Sequence, residues 1–168
     1  MIKIFGAEGK ISNVDSFLKK INDFSKEKNI LIQLFDAEYI YNKNHIISSY
    51  EHAKRAFENK TNTCNSLEME ILLYASGERQ LKIAIPKIGV KKGDASIIFI
   101  MIKTKNNLDK IVDTYIDFLG LKRNDNLLKG DINTLKKLGF KDREIKTVSK
   151  DKYSDLVLEK VSMVDIIK

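Results

Sequence analysis

Residues 67–89 constrain the fold of this chain more than any other stretch, because their pattern predicts two helices joined by a sharp break. In the first helix, apolar side chains recur at helical spacing and also fill much of the remaining circumference. We expect a helix that is apolar on nearly all sides to lie at the centre of its domain. Gly77 suits a left-handed C-cap that ends it. Pro86 predicts that the second helix ends or kinks near Ile85.

The remaining pattern predicts an α+β fold. Apolar or β-branched runs predict strands at residues 2–5, 30–35 and 97–102, and Gly-Ala-Glu-Gly at 6–9 predicts a turn. Periodic segments predict further helices, among them one capped by Asn106 and Asn107 and one that begins near Ser154. Without repeats or a compositional boundary, we expect residues 1–168 to form a single domain. In it, a small mixed or antiparallel β-sheet packs against several helices, with a central helix pair.

Composition excludes several classes of protein. No apolar run approaches the roughly 18 residues of a membrane-spanning helix, and residues 1–9 lack the apolar core of a signal peptide. Cys64 is the only cysteine, which excludes an internal disulfide and suits a reducing compartment. We therefore expect a cytoplasmic protein without membrane association.

The formal net charge of +7 predicts attraction to polyanions such as RNA, DNA or an anionic membrane surface. The best cluster is the segment of residues 79–92, which contains no carboxylate. Its cations are Arg79, Lys82, Lys87, Lys91 and Lys92. The alternative is a lysine-rich surface that only keeps the protein in solution.

Motifs for catalysis or metal binding are hard to find. His45 and His52 share one helical face, but no third and fourth metal ligand stands at a suitable spacing. Nothing in the sequence marks a base that would activate Cys64. Glu68 and Glu70 lie on different helix faces and do not form an acid–base pair. We therefore predict no catalytic residues, no metal and no cofactor, and interpret the chain as a binding protein.

Several segments together resemble the small accessory subunit of the KEOPS complex, the family that includes the human PRPK-binding protein. The matching residues cover most of the chain in the family's order: FDAEYI at 35–40, His45 and His52, EMEILLYASGERQLKIAIPKIGV at 68–90, Asp131, LKKLGF at 135–140 and LVLEKVSMVDI at 156–166. KEOPS makes the threonylcarbamoyl modification of an adenosine beside the anticodon of tRNAs. The resemblance implies a non-catalytic subunit that binds the small atypical kinase of the complex and recruits tRNA through its single-stranded 3′ tail. We expect a monomer within this larger complex.

The resemblance and the charge pattern together predict an RNA-binding set. Arg79 suits both phosphate contact and base stacking, because its guanidinium is planar and always charged. The alternative for Arg79 is a structural ion pair with Glu78 or Asp36, and for the lysines mere solvation. The predicted set is Arg79, Lys82, Lys87, Lys91 and Lys92, with Lys54, Arg55 and Lys60 from the preceding helix and its end. Tyr74 is the only aromatic residue close by, so stacking has less support than phosphate contact.

Kinase binding requires apolar surface, and the last predicted helix carries an apolar arc wider than one core-facing stripe. The arc predicts a docking face on Val157, Val161 and Val164, widened by Leu158, Met163 and Ile167. From the resemblance, Ile71 joins this set. The alternative is that the helix is simply well buried.

Two other functions stay open at this stage. The chain could be a stand-alone basic RNA-binding protein, or an enzyme with an unrecognised site. Co-purification with a small kinase would favour the KEOPS role, whereas a deep pocket lined by titratable groups would favour an enzyme.

Overall fold

The structure is a computed structural model that describes residues 1–104 and 108–168. Backbone contacts divide the chain into two compact units. We call Met1–Ala37 with Val90–Leu127 the sheet unit, and Glu38–Gly89 with Leu128–Lys168 the helical unit. The predicted α+β class is confirmed, while a single domain over 1–168 stays a prediction. The predicted caps Asn106 and Asn107 lie outside the described residues.

The described residues of the sheet unit form β1 (Ile2–Ile11), α1 (Val14–Lys28), β2 (Leu31–Asp36), β3 (Gly93–Ile102), α5 (Leu108–Phe118) and β4 (Lys122–Arg123). The four strands form an antiparallel sheet in the order β2-β3-β1-β4.

One face of this sheet and the apolar faces of α1 and α5 form the core of the sheet unit. Alternate residues of the long strands point into it, as a strand's period of two requires. Phe5 and Phe99 are directly opposite each other in the register, and their rings stack with centroids 4.9 Å apart. Phe99 also meets the ring of Tyr115 edge-on. Residues on both faces of β2 are buried, as its non-alternating sequence predicted.

The predicted turn at residues 6–9 is wrong, because this segment continues β1 and pairs with β3. Gly6 lies opposite Ile98 in the register and accepts a hydrogen bond from the N–H of Asn124 at 2.8 Å. A Cβ atom at residue 6 would lie 2.3 Å from the carbonyl oxygen of Asn124. The glycine therefore permits a close approach of two backbones, a requirement that the local sequence does not reveal.

The helical unit is built from six helices. They are α2 (Lys43–Glu58), α3 (Leu67–Ser76), α4 (Leu81–Ile88), α6 (Ile132–Leu138), α7 (Asp142–Ile145) and α8 (Tyr153–Ile167). Short 3₁₀ helices of three or four residues occur at Ala37–Tyr39, Asp125–Leu128 and Lys150–Lys152. No helix among the described residues is both long enough and apolar enough to cross a membrane.

Helix α3 is the centre of the helical unit, as its apolar circumference predicted. Every residue from Glu70 to Ser76 is buried, and α3 contacts α2, α4 and α8. Ser66 caps its N-terminus by accepting the N–H of Met69. Gly77 ends it with a φ of 68°, the left-handed conformation expected of a C-cap glycine.

Helix α4 does not end near Ile85, one of the two outcomes that Pro86 predicted; the other, a kink, stays a prediction. It continues to Ile88, and the N–H of Gly89 donates to the Ile85 carbonyl at 2.9 Å. Pro86 removes only the hydrogen bond to the carbonyl of Lys82, and both residues are exposed. Water can therefore satisfy that carbonyl, and the helix tolerates the proline.

Two fully buried tyrosines provide a test of this packing. Tyr115 has no hydrogen-bond partner for its hydroxyl among the described residues, whereas the hydroxyl of Tyr74 donates to Asp165. An unsatisfied buried hydroxyl costs about 1–3 kcal/mol. We expect Tyr115→Phe to raise the free energy of unfolding by about 1 kcal/mol, and Tyr74→Phe to lower it by about 1–2 kcal/mol. Urea unfolding of both variants checks this, and a change of the same sign in both would contradict the assignment of the two hydroxyls.

Candidate functional site

Positive charge without an ion-pair partner in the described structure lies at the start of α4, on Lys82 in the helix and on Arg79 just before it. Arg79 and Lys82 are exposed, and neither makes an ion pair or side-chain hydrogen bond within residues 1–104 and 108–168. The alternative expectation for Arg79, an ion pair with Glu78 or Asp36, is not what the described residues show. Glu78 pairs with Lys87 at 2.6 Å, and Asp36 pairs with Lys91 at 2.8 Å.

Two members of the predicted RNA-binding set are already engaged. Besides Glu78, the Lys87 ammonium donates to the carbonyl oxygens of Ser76 at 3.2 Å and Leu138 at 3.1 Å, and it is largely buried. Lys87 therefore links α4 to the ends of α3 and α6 and is the weakest candidate for a phosphate contact. Lys91 is half-exposed beside Asp36, so its charge is partly neutralised.

The other predicted cations are exposed. Lys92 lies in the sheet unit, whereas Lys54, Arg55 and Lys60 lie at the end of α2 and just after it in the helical unit. Lys54 is 3.8 Å from Glu58 on the same helix, a surface pair of small energetic value. Arg55 and Lys60 make no ion pair in the part of the chain that the structure describes. The role of all four of these cations in RNA binding stays a prediction.

Apolar side chains stand beside the exposed cations of α4. Ile83 and Ile85 are each 46% exposed, and Pro86 is exposed next to them. Ala84 and Ile88 anchor the opposite side of the helix in the interior. The outward side of α4 thus combines aliphatic surface with positive charge.

The valine stripe of α8 is not a docking face, and this corrects the expectation for Val157, Val161 and Val164. All three are at most 1% exposed. Val157 packs in a core cluster with residues of α6 and α7, and α8 also contacts α2 and α3. Ile71 of α3 is fully buried as well. The i, i+4, i+7 spacing of the valines is that of an ordinary core-facing stripe.

The outward side of α8 carries apolar residues instead. Met163 is 43% exposed and Ile166 is 74% exposed, while Leu158 is partly buried. Ile167 at the end of the helix is 41% exposed. Of the residues in the predicted arc, Leu158, Met163 and Ile167 therefore retain accessible surface, and the sequence analysis did not name Ile166.

Comparison with known proteins identifies the family. The family model described as "Kinase binding protein CGI-121" matches residues 9–165. The chain belongs to the CGI-121 family. The "Regulatory protein Cgi121" of Methanocaldococcus jannaschii is 28% identical over 149 residues, which cover 89% of this chain and 93% of that protein. The resemblance drawn from the sequence is thereby confirmed, and the CGI-121 model spans parts of both units.

The two histidines of this CGI-121 protein have structural roles in the described geometry. His45 is buried, and its Nδ1 accepts the N–H of Tyr41 at 3.2 Å. The ring proton therefore resides on Nε2, which donates to the Ala75 carbonyl at 2.9 Å. Burial lowers the pKa of His45 to about 4, although the bond to Ala75 opposes this. His45 thus joins α2 to α3 as a neutral ring.

His52 belongs to a polar network that sequence analysis missed. Its Nδ1 lies 2.7 Å from one carboxylate oxygen of Asp165, and the hydroxyl of Tyr74 donates to the other. Partial burial raises the pKa of Asp165, but the hydrogen bonds from Tyr74 and His52 outweigh it, so the pKa lies below its usual value. The residues are far apart in sequence, which explains why no local motif revealed them.

Ser162 completes a connectivity like that of a catalytic triad, because its Oγ lies 3.3 Å from Nε2 of His52. Its hydroxyl, however, donates to the Leu158 carbonyl at 3.0 Å. Ser162 also lies inside α8, where each backbone N–H is used by the carbonyl four residues earlier. These N–H groups cannot form an oxyanion hole, so the arrangement fits a link between α2 and α8 better than hydrolysis.

The thiol of Cys64 is unsuited to nucleophilic chemistry. Burial, together with the nearby carboxylate of Glu70, raises its pKa to about 12. The thiolate, the reactive form, is therefore rare at neutral pH. The described residues contain no group of three or more His, Cys, Asp or Glu side chains placed to hold a metal ion.

The pKa of His45 predicts how stability depends on pH. Above about pH 6.5 the ring is neutral in both the folded and the unfolded chain, so it contributes no pH dependence. As the pH falls from 6.5 towards 4, the unfolded chain gains a proton that the folded chain does not, and the free energy of unfolding falls by up to roughly 3 kcal/mol.

NMR titration of the imidazole signals, with urea unfolding at pH 7.5 and 4.5, measures this effect directly. We expect the His45 signal to stay that of the neutral ring down to about pH 4. A midpoint near 6.5 for His45 would show that the ring is not held neutral by burial.

Proposed function

We propose that this chain is a non-catalytic subunit that binds a small atypical kinase and recruits tRNA to it. The observation that carries the proposal is the match to a kinase-binding family over residues 9–165. The outward side of α8 supplies accessible apolar surface for such a partner. We infer that Met163, Ile166 and Ile167, with Leu158 at the margin, form the docking face in place of the buried valines.

The exposed surface of α4 supports the RNA part of the proposal. Single-stranded RNA is bound by cations that meet its phosphates and by side chains that meet its bases. Arg79 and Lys82 supply charge without a neighbouring carboxylate partner, and Ile83 and Ile85 supply apolar contact. We infer that this side of α4 contacts an unpaired RNA segment. The family resemblance points to the 3′ tail of tRNA.

The wider role follows from the same resemblance. We infer that the chain is a monomeric accessory subunit of a KEOPS complex, that residues 1–168 act as one domain, and that the process served is threonylcarbamoyladenosine formation in the cytoplasm. A stand-alone RNA-binding protein is the alternative. It would bind RNA through α4 but would capture no kinase, so a pull-down with the cognate kinase separates the two.

The proposed docking face predicts opposite outcomes for two arginine substitutions in α8. Ile166→Arg places the charge at an exposed position, so the variant should fold normally and bind the kinase at least about thirtyfold more weakly, the loss of one anchor residue. Val161→Arg buries an unpaired charge and should unfold the chain. Thermal melts and calorimetric titration with the kinase measure both effects.

Glu159→Arg is the matched control, because it introduces the same side chain at an exposed polar position of the same helix. It should fold and bind as the wild type does. Normal kinase binding by a folded Ile166→Arg variant would exclude this end of α8 as the docking face.

The proposed RNA surface predicts a change in salt dependence. Each lost contact between a cation and a phosphate of single-stranded RNA should reduce the slope of log affinity against log salt by about 0.7. Arg79→Ala combined with Lys82→Ala should therefore weaken tRNA binding and reduce the slope by about 1.4. Removing the unpaired 3′ nucleotides should weaken wild-type binding in a similar way.

Lys19→Ala combined with Lys20→Ala is the control, because it removes two exposed charges from α1, outside the predicted set. The tRNA affinity of this control should fall less than that of the Arg79→Ala, Lys82→Ala variant. The slope of its log affinity against log salt should stay close to that of the wild type. Arg79→Lys distinguishes a point charge from a planar contact. Equal slopes for the α4 and α1 double variants would place the RNA surface elsewhere.

A further inference from the structure

Lys160 of α8 is a partly buried lysine without a carboxylate partner. Within residues 1–104 and 108–168 its ammonium forms no ion pair and no hydrogen bond, and its Nζ lies 5.2 Å from the centre of the Phe140 ring. The aliphatic stem packs on Gly77, where a Cβ atom would lie only 2.6 Å from Cε of Lys160. An aromatic ring and a glycine backbone thus replace much of the water around this amine.

A second amine, that of Lys87, reaches the same end of α6. The Lys87 ammonium donates to the Leu138 carbonyl at 3.1 Å, and Nζ of Lys160 lies 4.0 Å from the position that a Cβ atom would take at Gly139. Lys87 is held in place, because it also pairs with Glu78 at 2.6 Å. The surroundings of Lys160 therefore include a fixed cation.

These surroundings favour the neutral form of the Lys160 amine. Burial lowers the pKa of Lys160, and the positive charge of Lys87 lowers it further, whereas Glu78 and Glu144 act in the opposite direction. Desolvation and a neighbouring cation are two of the means by which proteins turn a lysine into a nucleophile. An ordinary exposed lysine is protonated at neutral pH, so its amine has no lone pair to donate.

The size and charge of these surroundings select the electrophile. The ring of Phe140 and the backbone of Gly77 leave space beside the amine for a molecule of few atoms. An acyl group would produce a neutral amide, which gains nothing from the charge of Lys87. Carbon dioxide produces an anionic carbamate, and a cation at short range in a partly desolvated site stabilises it. The charge of Lys87 acts on Lys160 more strongly than that of either carboxylate.

We propose that Lys160 is a site of reversible carbamate formation with carbon dioxide. The lone pair of the neutral Nζ attacks the carbon atom of carbon dioxide, a C–N bond forms, and one C=O π pair moves onto oxygen. The nitrogen then releases one proton to water, so the step needs no oxidant or reductant. The product places an anion where a cation stood, beside the pair of Glu78 and Lys87. It requires neither the kinase nor RNA.

Chemical trapping of the carbamate in the full chain tests this proposal. The wild type is equilibrated with isotopically labelled carbon dioxide and bicarbonate, triethyloxonium ion converts the carbamate to its ethyl ester, and peptide mass spectrometry locates the label. We expect at least about threefold more label on Lys160 than on Lys19 or Lys20, two exposed lysines of α1. The reason is that the neutral fraction of an amine rises about tenfold for each unit by which its pKa falls.

Labelling of the same chain in urea is the control for lysine chemistry alone. In the unfolded chain Lys160 regains the pKa of an ordinary lysine, so its excess over Lys19 and Lys20 should disappear. Lys160→Arg keeps the charge and should abolish the adduct. Lys87→Met removes the neighbouring cation and should lower the labelling of Lys160 towards that of the exposed lysines. Thermal melts establish whether each variant folds.

Two results would overturn the proposal. One is labelling of Lys160 that does not exceed that of Lys19 and Lys20, and the other is an excess that persists in urea. Unchanged labelling of Lys160 in a folded Lys87→Met variant would overturn the role assigned to Lys87. The comparisons among lysines, folded and in urea, use the wild-type chain, so they decide the question even if a variant unfolds.

Discussion

The helical unit depends on one buried carboxylate, that of Glu70 in α3. It accepts the backbone N–H groups of Cys64 at 2.7 Å and Thr63 at 3.0 Å, and it lies 2.7 Å from the ammonium of Lys168. Burial raises the pKa of Glu70, but these hydrogen bonds outweigh it and keep the pKa below its usual value. An ionised carboxylate with no partners would be too costly to bury, so the loop before α3 and the end of α8 must both close on it.

This closure determines which side of α8 faces outwards. With Lys168 held by Glu70, and Asp165 held by Tyr74 and His52, the C-terminal turn of α8 has little freedom to rotate about its axis. The valines then face the interior, and Ile166 is left exposed although it is apolar. The proposed docking face is therefore positioned by polar contacts at one end of a single helix.

Sequence predicted the features that depend on neighbouring residues. The apolar circumference of α3 and the left-handed C-cap at Gly77 both follow from local periodicity and backbone preference, and both are confirmed. Features that depend on distant residues could not be predicted in this way. Gly6 needs its glycine because of Asn124, more than a hundred residues away. The spacing of the α8 valines could not show whether their stripe packed on the protein itself or on a partner.

The electrostatics of residues 79–92 also depend on distant residues and could not be predicted from the local sequence. Residues 79–92 contain no carboxylate, but the fold brings Glu78 to Lys87 and Asp36 to Lys91, so charge that is unopposed along the chain is partly neutralised in space. The exposed cations of the segment without an ion pair in the described structure are Arg79, Lys82 and Lys92. RNA affinity depends on the cations that can replace counterions at phosphates rather than on the number of lysines. Lys82 lies next to the exposed aliphatic side chains of α4, so the proposed RNA contact would combine charge with apolar surface.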